Sequence, residues 1–463
     1  MALKLTFWGG AGTVTGSNFL VEEGEIKILI DCGLEQGRDM SEERMYGPFP
    51  YKAESISALI VTHAHLDHVG RIPKLVRDGF RGPIYMTAPT RDLAELILHD
   101  SAGILGQDAK KRGLAPLYAE ADVTAALELV EVVEYRKEVS IAGGLSFVMR
   151  DTGHILGSGS VRIRGTDGTT VALTGDIGNT PSPLLPPWEK VDDADALVME
   201  SVYGDRLHPP TDTRVDTLRK TLIDAIERGG AILIPAFSLE RTQLMLYEIS
   251  NFFAEGSVPK VPVFLDSPLA IKVTAAYEQY GHEYFNKEAD AEMVREKSLF
   301  EFPFLTKTPS REESDDIQKT PNPKIIIAGA GMSHGGRIGR HEAKYLPDAN
   351  TTLILVGYQA PGSPGRRMKD GASSVRLDGH DIALRAKVVN LEGWSAHADR
   401  DELMKFAEES LSGGRTKVVF TALGEPASAR FLAQRLHDYL GAKAVVPTYG
   451  ETWEITKDGV NKV

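Results

Sequence analysis

The chain has 463 residues, of which 42% are hydrophobic, and this is enough to bury a large core in two or three domains. Its formal net charge of −13 has the wrong sign for a protein that holds nucleic acid by bulk electrostatics, although a local basic groove is compatible with it. The single cysteine, Cys32, excludes a disulfide framework within the chain and a thiolate-rich zinc site.

Short runs typical of β-strands dominate the N-terminal part of the chain. They alternate apolar and polar residues between Gly, Asp and Pro, and they read LKLTFWG, EIKILID, ALIVTHA, GPIYMTA, LSFVMRD, SVRIRG, TTVALTGD and ADALVME. The stretch TRDLAELILHDSAGIL predicts a helix against which a sheet can pack. GGAGTVTGS lacks the G-x-G-x-x-G spacing of a nucleotide-binding loop, and we interpret it as a tight turn.

From residue 206 onward the pattern changes to alternating helices and strands. TDTRVDTLRKTLIDAIERGG and SLERTQLMLYEISNFFAEG predict helices on either side of the buried strand AILIPAF, and VPVFLDS, KIIIAGAG and TTLILVGY predict further strands. Residues 303–324 have the composition of an exposed polar connection. We therefore predict a separate α/β domain at residues 206–390, inserted between residues 1–205 and residues 391–463.

Three histidines and an aspartate stand within six positions of the stretch VTHAHLDHVG, directly after an apolar run. In an extended segment alternate side chains point the same way, so His63, His65 and Asp67 can converge, with His68 beside them. Neutral imidazoles and carboxylates are the ligands expected for Zn²⁺ when no cysteine is at hand. The stretch therefore predicts a metal site in the loop that follows a strand.

Two further candidate ligands, His154 in DTGHILGS and Asp176 in ALTGDIG, occupy loop positions after strand-like runs. With the first cluster they supply enough ligands for two metals, with Asp176 bridging. The succession HAHLDH, GHILGS and TGD resembles the metallo-β-lactamase superfamily. The later stretches ESVYG, IPAFSLERTQ, DSPLA, AGAGMSHGGR, GYQAPGSPGRR and SAHADRDEL resemble its β-CASP branch, the RNA-processing nucleases similar to the cleavage and polyadenylation specificity factor endonuclease and its bacterial relatives.

This resemblance implies an αββα metallo-β-lactamase sandwich with an inserted β-CASP α/β domain. It also implies the metal ligands, which are His63, His65 and His154 for a first ion, Asp67 and His68 for a second ion, and Asp176 for both. Asp31 in ILIDCG matches an aspartate that orients ligands without binding metal. His397 matches a histidine that a carboxylate, here Glu200, holds in place so that it can protonate the leaving oxygen. Asp67 is the third candidate catalytic residue.

The sequence departs from the family pattern at Leu423. The family closes its second metal site with a histidine in an HGE segment, and the corresponding segment here reads ALGEP. Leucine offers no lone pair, so we expect a weakened second site. Three interpretations stay open: two ions with water in place of the histidine, one ion that supplies hydroxide by itself, or a degenerate, weakly active nuclease-like scaffold.

The candidate substrate-binding residues lie beside glycine-rich or strand-end motifs of the predicted insertion. They are Arg241, Ser267, Gly335, Gly336, Arg337, Arg366 and Arg367. Arginines neutralise phosphates, and glycines let backbone N–H groups approach a phosphate closely. These residues therefore predict a local basic groove on an acidic protein.

We predict a zinc-dependent phosphodiester hydrolase: a ribonuclease that acts on single-stranded RNA in RNA processing or decay, with DNA as the second candidate substrate. The alternatives are a metallo-hydrolase of a small ester, lactone or thioester, which needs neither the insertion nor its arginines, and the scaffold that Leu423 suggests. No apolar run is long enough to span a bilayer and no signal peptide is recognisable, so we expect no membrane partner and a cytoplasmic location. Exposed sheet edges in the predicted insertion are compatible with pairing of two copies of the chain into a homodimer.

Overall fold

The computed structural model describes residues 2–36, 41–191, 194–360, 362–377 and 379–463. Contacts within the chain divide it into two units. The first comprises Met1–Leu207 with His397–Val463, and the second comprises His208–Ala396. Pro361, part of the motif GYQAPGSPGRR, lies outside the described residues.

The N-terminal part of the first unit is rich in short strands. In chain order they are β1 (Leu3–Phe7), β2 (Phe19–Glu23), β3 (Ile26–Ile30), β4 (Ala58–Ile60), β5 (Ile84–Met86), β6 (Val130–Val132), β7 (Glu138–Ser140), β8 (Ser146–Asp151), β9 (Gly159–Arg164), β10 (Thr170–Leu173) and β11 (Ala196–Glu200). The helices are α1 (Glu42–Tyr46), α2 (Leu66–Val69), α3 (Ile72–Arg77), α4 (Ala88–Arg112) and α5 (Glu120–Leu127). The sequence analysis missed β2, because its run FLVEE has three consecutive apolar residues followed by two acidic ones and so lacks the alternation of a half-buried strand.

The second unit alternates helices and strands. Its helices are α6 (Thr211–Arg228), α7 (Arg241–Glu255), α8 (Pro268–Tyr284), α9 (Lys287–Glu296), α10 (Arg311–Asp316), α11 (Gly336–Tyr345) and α12 (Pro364–Lys369). Its strands are β12 (Ala231–Pro235), β13 (Val263–Leu265), β14 (Leu305–Lys307), β15 (Lys324–Ala328), β16 (Thr352–Leu355), β17 (Ser374–Leu377), β18 (His380–Ala383) and β19 (Lys387–Asn390). The C-terminal part of the first unit adds α13 (Arg400–Leu411), β20 (Val418–Ala422), α14 (Pro426–Leu440), β21 (Ala444–Val445), β22 (Thr452–Ile455) and β23 (Val460–Lys462).

Two sheets form the sandwich of the first unit. One has the strand order β23-β22-β1-β2-β3-β4-β5-β6, and the other has the order β21-β20-β11-β10-β9-β8-β7. Phe7 and Ile30 of the first sheet share one buried core with Phe147 and Phe420 of the second. Helices α13 and α14 bury apolar side chains against the other face of the second sheet, and the crossovers between the parallel strands β4, β5 and β6 carry α3, α4 and α5. These layers are the predicted αββα arrangement.

The second unit is built on a parallel sheet with the strand order β14-β13-β15-β12-β16-β19. Its central strands are buried along their whole length, as expected for strands that helices cover on both faces. The hairpin β17-β18 stands apart as a two-stranded antiparallel sheet. No helix in the described ranges combines the length and the apolar composition needed to cross a lipid bilayer.

Residues 303–324, predicted as an exposed polar connection, are mostly exposed, but they are more ordered than a connection. This segment contains the edge strand β14 and the helix α10, and it buries polar side chains against the carboxylate of Asp266. Four side chains donate to that carboxylate, and they are Thr308, Ser314, Arg337 and His341. Burial raises the pKa of Asp266, but these hydrogen bonds outweigh it and lower the pKa to about 2. Two hydroxyls of the segment, Thr308 and Ser314, therefore serve a buried charge, whereas most of its other polar side chains are exposed.

Candidate metal centre

Predicted site residues follow the carboxyl ends of neighbouring strands in the first unit. Asp31 follows β3, and His63 follows β4, which is parallel to β3. In the other sheet Asp176 follows β10 and Glu200 ends β11, which is parallel to β10. Because the carboxyl ends of parallel strands meet at the same edge of a sheet, residues distant in sequence gather there.

Four ligand atoms converge in a first cage. Nδ1 of His65 lies 3.0 Å from Nε2 of His63 and 3.2 Å from Nε2 of His154. Oδ2 of Asp176 lies 3.4 Å from each of those two Nε2 atoms. Zinc bonds of about 2.0–2.1 Å at tetrahedral angles separate ligand atoms by roughly 3.3 Å. The cage therefore fits a divalent ion of this size without rearrangement.

His68 lies beside the cage and is a candidate ligand of a second metal ion. Its Nδ1 lies 2.7 Å from Oδ2 of Asp31, and this contact places the proton on Nδ1. Its Nε2 is buried, forms no hydrogen bond and lies 3.5 Å from Oδ1 of Asp176. Burial lowers the pKa of His68, but the carboxylates of Asp176 and Asp31 outweigh it and raise that pKa to about 10. Nε2 therefore carries a proton when no ion is present and would release it to bind a cation. Asp67, the other ligand predicted here, is half-buried, and its charge acts on His68 in the direction that raises the pKa of the imidazole.

Leu423, the residue that the family resemblance matches to a metal-binding histidine, lies directly after β20. Its side chain is buried in the core between the two sheets. It lies over Gly10, where an added Cβ atom would come within 2.6 Å of Cδ2 of Leu423. Its φ of 47° is a left-handed conformation that leucine rarely adopts. The side chain therefore contributes apolar packing between the two sheets and no ligand atom.

His397 and Glu200 form a pair next to Asp176. Nδ1 of His397 lies 3.2 Å from Oε2 of Glu200 and 3.8 Å from Oδ2 of Asp176. Glu200 is fully buried and accepts a hydrogen bond from the backbone N–H of Ile177, which anchors its carboxylate. The side chain of His397 is 22% exposed, so one part of the ring is open to solvent. This is the arrangement of a histidine whose protonated form a buried carboxylate stabilises.

The crowding of imidazoles and carboxylates shifts the pKa values of the site in opposite directions. Burial and then the charges of the neighbouring histidines hold the pKa of His63 well below its usual value. Burial also lowers the pKa of His397, but the carboxylates of Glu200 and Asp176 outweigh it and raise that pKa to about 9. His63 is therefore in the neutral form that binds metals, and His397 carries a proton at neutral pH.

Two hydroxyl residues that the sequence analysis did not single out hold Asp31. The backbone N–H of Thr62 donates to Oδ1 of Asp31 at 2.8 Å, and Oγ of Ser17 donates to Oδ2 at 2.8 Å. Oγ1 of Thr62 also lies 3.1 Å from Nδ1 of His63. The signal in the sequence is a hydroxyl directly before the first histidine, and it is too common at strand ends to be recognised alone.

Two of the predicted phosphate-binding arginines are engaged inside the second unit. The side chain of Arg241 is buried and its guanidinium donates to the carbonyl of Val356. The guanidinium of Arg337 donates to the carboxylate of Asp266 and to the carbonyl of Thr308. These contacts satisfy acceptors at the ends of buried strands. We therefore assign both arginines a role in positioning these segments.

The remaining predicted substrate-binding residues lie at helix starts of the second unit. Ser267 accepts the N–H of the third residue after it and caps α8. Gly335 and Gly336 open α11 with φ values of 70° and 68°. On α12, Arg366 pairs with the carboxylate of its fourth successor, and Arg367 is exposed. Contact with phosphate stays a prediction for all five residues.

Three family models match successive parts of the chain. The model described as the metallo-beta-lactamase superfamily matches residues 11–236, and the Beta-Casp domain matches residues 242–368. The model described as the Zn-dependent metallo-hydrolase RNA specificity domain matches residues 381–447. The cage residues fall in the first match, whereas His397 and Leu423 fall in the third.

Curated proteins match over most of the chain. It is 36% identical to "Ribonuclease TTHA0252" of Thermus thermophilus over 412 residues, which are 88% of this chain and 91% of that protein. It is 31% identical to "Transcription termination factor FttA" of Methanosarcina mazei, covering 97% of this chain and 71% of that protein. It is 32% identical to "RNase J-like protein" of Methanocaldococcus jannaschii, covering 88% and 89%. A crystal structure of a protein of unknown function from Enterococcus faecalis shares the fold, with a TM-score of 0.57, 13% identity and coverage of 98% of this chain and 100% of that one.

Proposed function

The chain belongs to the metallo-β-lactamase superfamily and to its β-CASP branch, and from this premise we propose that it is a metal-dependent ribonuclease that hydrolyses phosphodiester bonds of single-stranded RNA. One observation carries the proposal: the cage of His63, His65, His154 and Asp176 adjoins the pair of His397 and Glu200. Phosphodiester hydrolysis needs an activated water, compensation of negative charge and a proton for the leaving oxygen. The site has a group for each requirement.

RNA is the substrate class that the relatives support. A relative named as a ribonuclease is 36% identical over most of this chain, and the model of an RNA specificity domain matches residues 381–447. A hydrolase of small esters, lactones or thioesters would need neither of the matched accessory domains. The convergence of the cage residues argues against a silent scaffold, because gathering three imidazoles and a carboxylate at a buried point costs free energy that a bound ion would offset.

We propose zinc as the resident ion, held first by the three imidazoles and the carboxylate of the cage. Imidazole nitrogens with a carboxylate suit zinc, and manganese is the main competitor for such a site. When bound, the ion would lower the pKa of water and offset the negative charge that develops on the phosphate. Thr62, Ser17 and Asp31 would keep the rings of His63 and His68 in the orientation that presents their Nε2 atoms.

The proton for the leaving oxygen comes from His397. Glu200 accepts the Nδ1–H of the imidazolium, so Nε2–H is the proton that the ring can transfer to the departing ribose oxygen. The buried carboxylate keeps the ring charged before the transfer and holds it in one orientation. Ile177 directly follows the cage residue Asp176, and its N–H donates to the carboxylate of Glu200. Through Glu200 this hydrogen bond also positions His397 relative to the cage.

Removal of metal should abolish RNA cleavage. We expect protein dialysed against a chelator to retain less than about 1% of its activity on end-labelled single-stranded RNA, because water without a Lewis acid has a pKa near 15.7 rather than about 7. Addition of zinc or manganese should restore cleavage, and the ion that restores it at the lower concentration identifies the better ligand. Single-stranded DNA of the same sequence is tested in parallel as the second candidate substrate.

Three results would contradict this proposal. Cleavage that persists in the chelator would exclude metal catalysis. Preference for DNA over RNA would move the protein to a DNA substrate. Hydrolysis of a simple ester or lactone by a metal-loaded protein that leaves both nucleic acids intact would favour the small-molecule hydrolase.

We propose that the chain binds one ion tightly and a second ion weakly, because Leu423 supplies no ligand atom at the second position. Leu423→His should raise the second-site metal content, from about one ion per chain toward two at equal free zinc. The left-handed backbone at this position tolerates histidine better than leucine, so the variant should fold. Metal content is measured by mass spectrometry after gel filtration in buffer of fixed free zinc.

The matched control for this experiment is Leu423→Met, which keeps an apolar side chain of similar volume in the same core position. It should leave the metal content unchanged. A wild-type protein that already holds two ions, together with an unchanged content in Leu423→His, would refute our account of the second position.

A further inference from the structure

Two exposed aromatic side chains stand at the carboxyl edge of the parallel sheet in the second unit. Phe237 is 39% exposed and follows β12, and Tyr358 is 38% exposed and follows β16. These strands are hydrogen-bonded neighbours, with Leu233 opposite Leu353. In open parallel α/β sheets the carboxyl edge is where ligands bind. Large apolar side chains exposed at that edge therefore need an explanation.

The backbone of Phe237 is fixed by hydrogen bonds although its side chain is partly exposed. Its carbonyl accepts hydrogen bonds from the N–H of Thr242 at 3.2 Å and from Oγ1 of Thr242 at 2.8 Å. Its ring lies directly on the backbone of Gly331, where an added Cβ atom would come within 2.7 Å of Cδ2 of Phe237. Only glycine allows this contact. The ring is thus held against Gly331 and loses little further freedom when another planar group binds it.

The segment that carries Tyr358 is tied to the same loop. Arg241, next to Thr242 on α7, donates to the carbonyl of Val356, two residues before Tyr358. Gly357 makes room for this guanidinium, since an added Cβ atom would lie 2.6 Å from Nη1 of Arg241. On the other side of Tyr358, Gln359 donates through Nε2 to the carbonyl of Gly331 at 3.0 Å. The buried Arg241 therefore couples the two aromatic segments.

Positive charge accompanies these rings along the same stretch of chain. Arg366 and Arg367 lie on α12, whose Gly365 donates its N–H to the carbonyl of Met332, the residue after Gly331. Arg367 is exposed, and Arg366 has a side chain that is 40% exposed. On a chain of net charge −13, arginines beside exposed aromatics suit a ligand that combines planar rings with phosphates.

We propose that Phe237 and Tyr358 form a stacking platform for unpaired bases of single-stranded RNA. The proposal rests on the ribonuclease function and adds how the strand is held: by its base faces, without preference for sequence, since every base has a π-face. Arg366 and Arg367 contact the phosphates that flank the stacked bases. Arg241 is a positioning residue that aligns the two rings and touches no RNA.

Replacing Phe237 with leucine should weaken RNA binding by about five-fold or more, the lower part of the range for loss of one stacked base. Binding is measured by fluorescence anisotropy with a labelled ten-nucleotide RNA in chelator, where nothing is cleaved. Phe237→Trp should retain or improve the affinity, because a larger aromatic face stacks at least as well. A ten-nucleotide strand of abasic residues should bind wild type and Phe237→Leu equally.

Phe304→Leu is the matched control. Phe304 is 38% exposed in the same unit, but it precedes β14 and so lies at the amino edge of the parallel sheet. Its replacement should leave RNA affinity unchanged. The platform is refuted if Phe237→Leu binds RNA like wild type, if Phe304→Leu loses as much affinity, or if the abasic strand shows the same loss.

The same samples separate this proposal from the function on which it rests. With metal restored, Phe237→Leu should raise the KM for RNA and leave kcat within about two-fold, because stacking on remote bases contributes to binding of ground state and transition state alike. Normal cleavage by wild type, together with an unchanged KM in Phe237→Leu, would refute the stacking platform but not the ribonuclease function. Absence of any cleavage by metal-loaded wild type would refute the ribonuclease function, regardless of the binding measured by anisotropy.

Discussion

Asp176→Asn should lose both its tightly bound metal and its ribonuclease activity, with kcat/KM falling by more than about 100-fold, the upper end of what loss of an outer partner costs. Its two carboxylate oxygens lie between the two metal positions: Oδ2 faces His63 and His154 at 3.4 Å, and Oδ1 faces His68 at 3.5 Å. An amide of the same shape keeps the volume and removes the negative charge and one ligand oxygen. The surrounding imidazoles then lack the charge that balances a cation.

The loss is measured as metal content per chain and as initial rate on labelled RNA. Asp195→Asn is the matched control, because Asp195 is equally buried in the same unit and forms ion pairs with Arg415 and Lys417. It precedes β11 and therefore lies at the opposite end of that strand from Glu200. This variant should lose thermal stability and keep its metal. Retention of metal and activity by Asp176→Asn would show that the ion is bound elsewhere.

His397→Ala should keep its metal and lower kcat on RNA by about 10²- to 10⁴-fold, the range expected for one general acid. The imidazole lies beside Glu200 and 3.8 Å from the carboxylate of Asp176, with part of its ring exposed. Without it, the leaving ribose oxygen must depart without a proton. Glu200→Gln should have a smaller effect in the same direction, because the ring remains while its charged form is less favoured.

A substrate with a good leaving group distinguishes an acid from a structural residue. Bis-p-nitrophenyl phosphate releases a phenolate that needs little protonation, so wild type and His397→Ala should hydrolyse it at rates within about ten-fold of each other. His437→Ala, which changes an exposed histidine on α14, is the control and should behave as wild type on both substrates. Equal products from RNA with wild type and His397→Ala would remove His397 from the mechanism.

The predicted insertion illustrates how far local patterns reach. The strands of the second unit appear in the sequence as continuous apolar runs, because a parallel sheet covered by helices buries both faces of each strand. The segment at residues 303–324 lacks such a run, and two of its hydroxyls, Thr308 and Ser314, donate to the carboxylate of Asp266. The homodimer and the cytoplasmic location stay predictions.

The amino-acid sequence by itself determined the chemistry of the metal site. A single cysteine and a cluster of imidazoles and carboxylates restrict the ligand atoms to nitrogen and oxygen, and the identity of a ligand atom is a local property of each residue. The weakened second site that the family resemblance implies at Leu423 stays a prediction.

Only the tertiary structure decided which groups support this chemistry and which serve the fold. Arg241 and Arg337 look like phosphate ligands in sequence, but backbone carbonyls and Asp266 from distant segments engage them inside the second unit. Thr62 and Phe237 look ordinary, but one hydrogen-bonds the aspartate that orients His68 and the other lies exposed on Gly331. Burial and partners depend on residues far apart in the chain, and no local pattern records them.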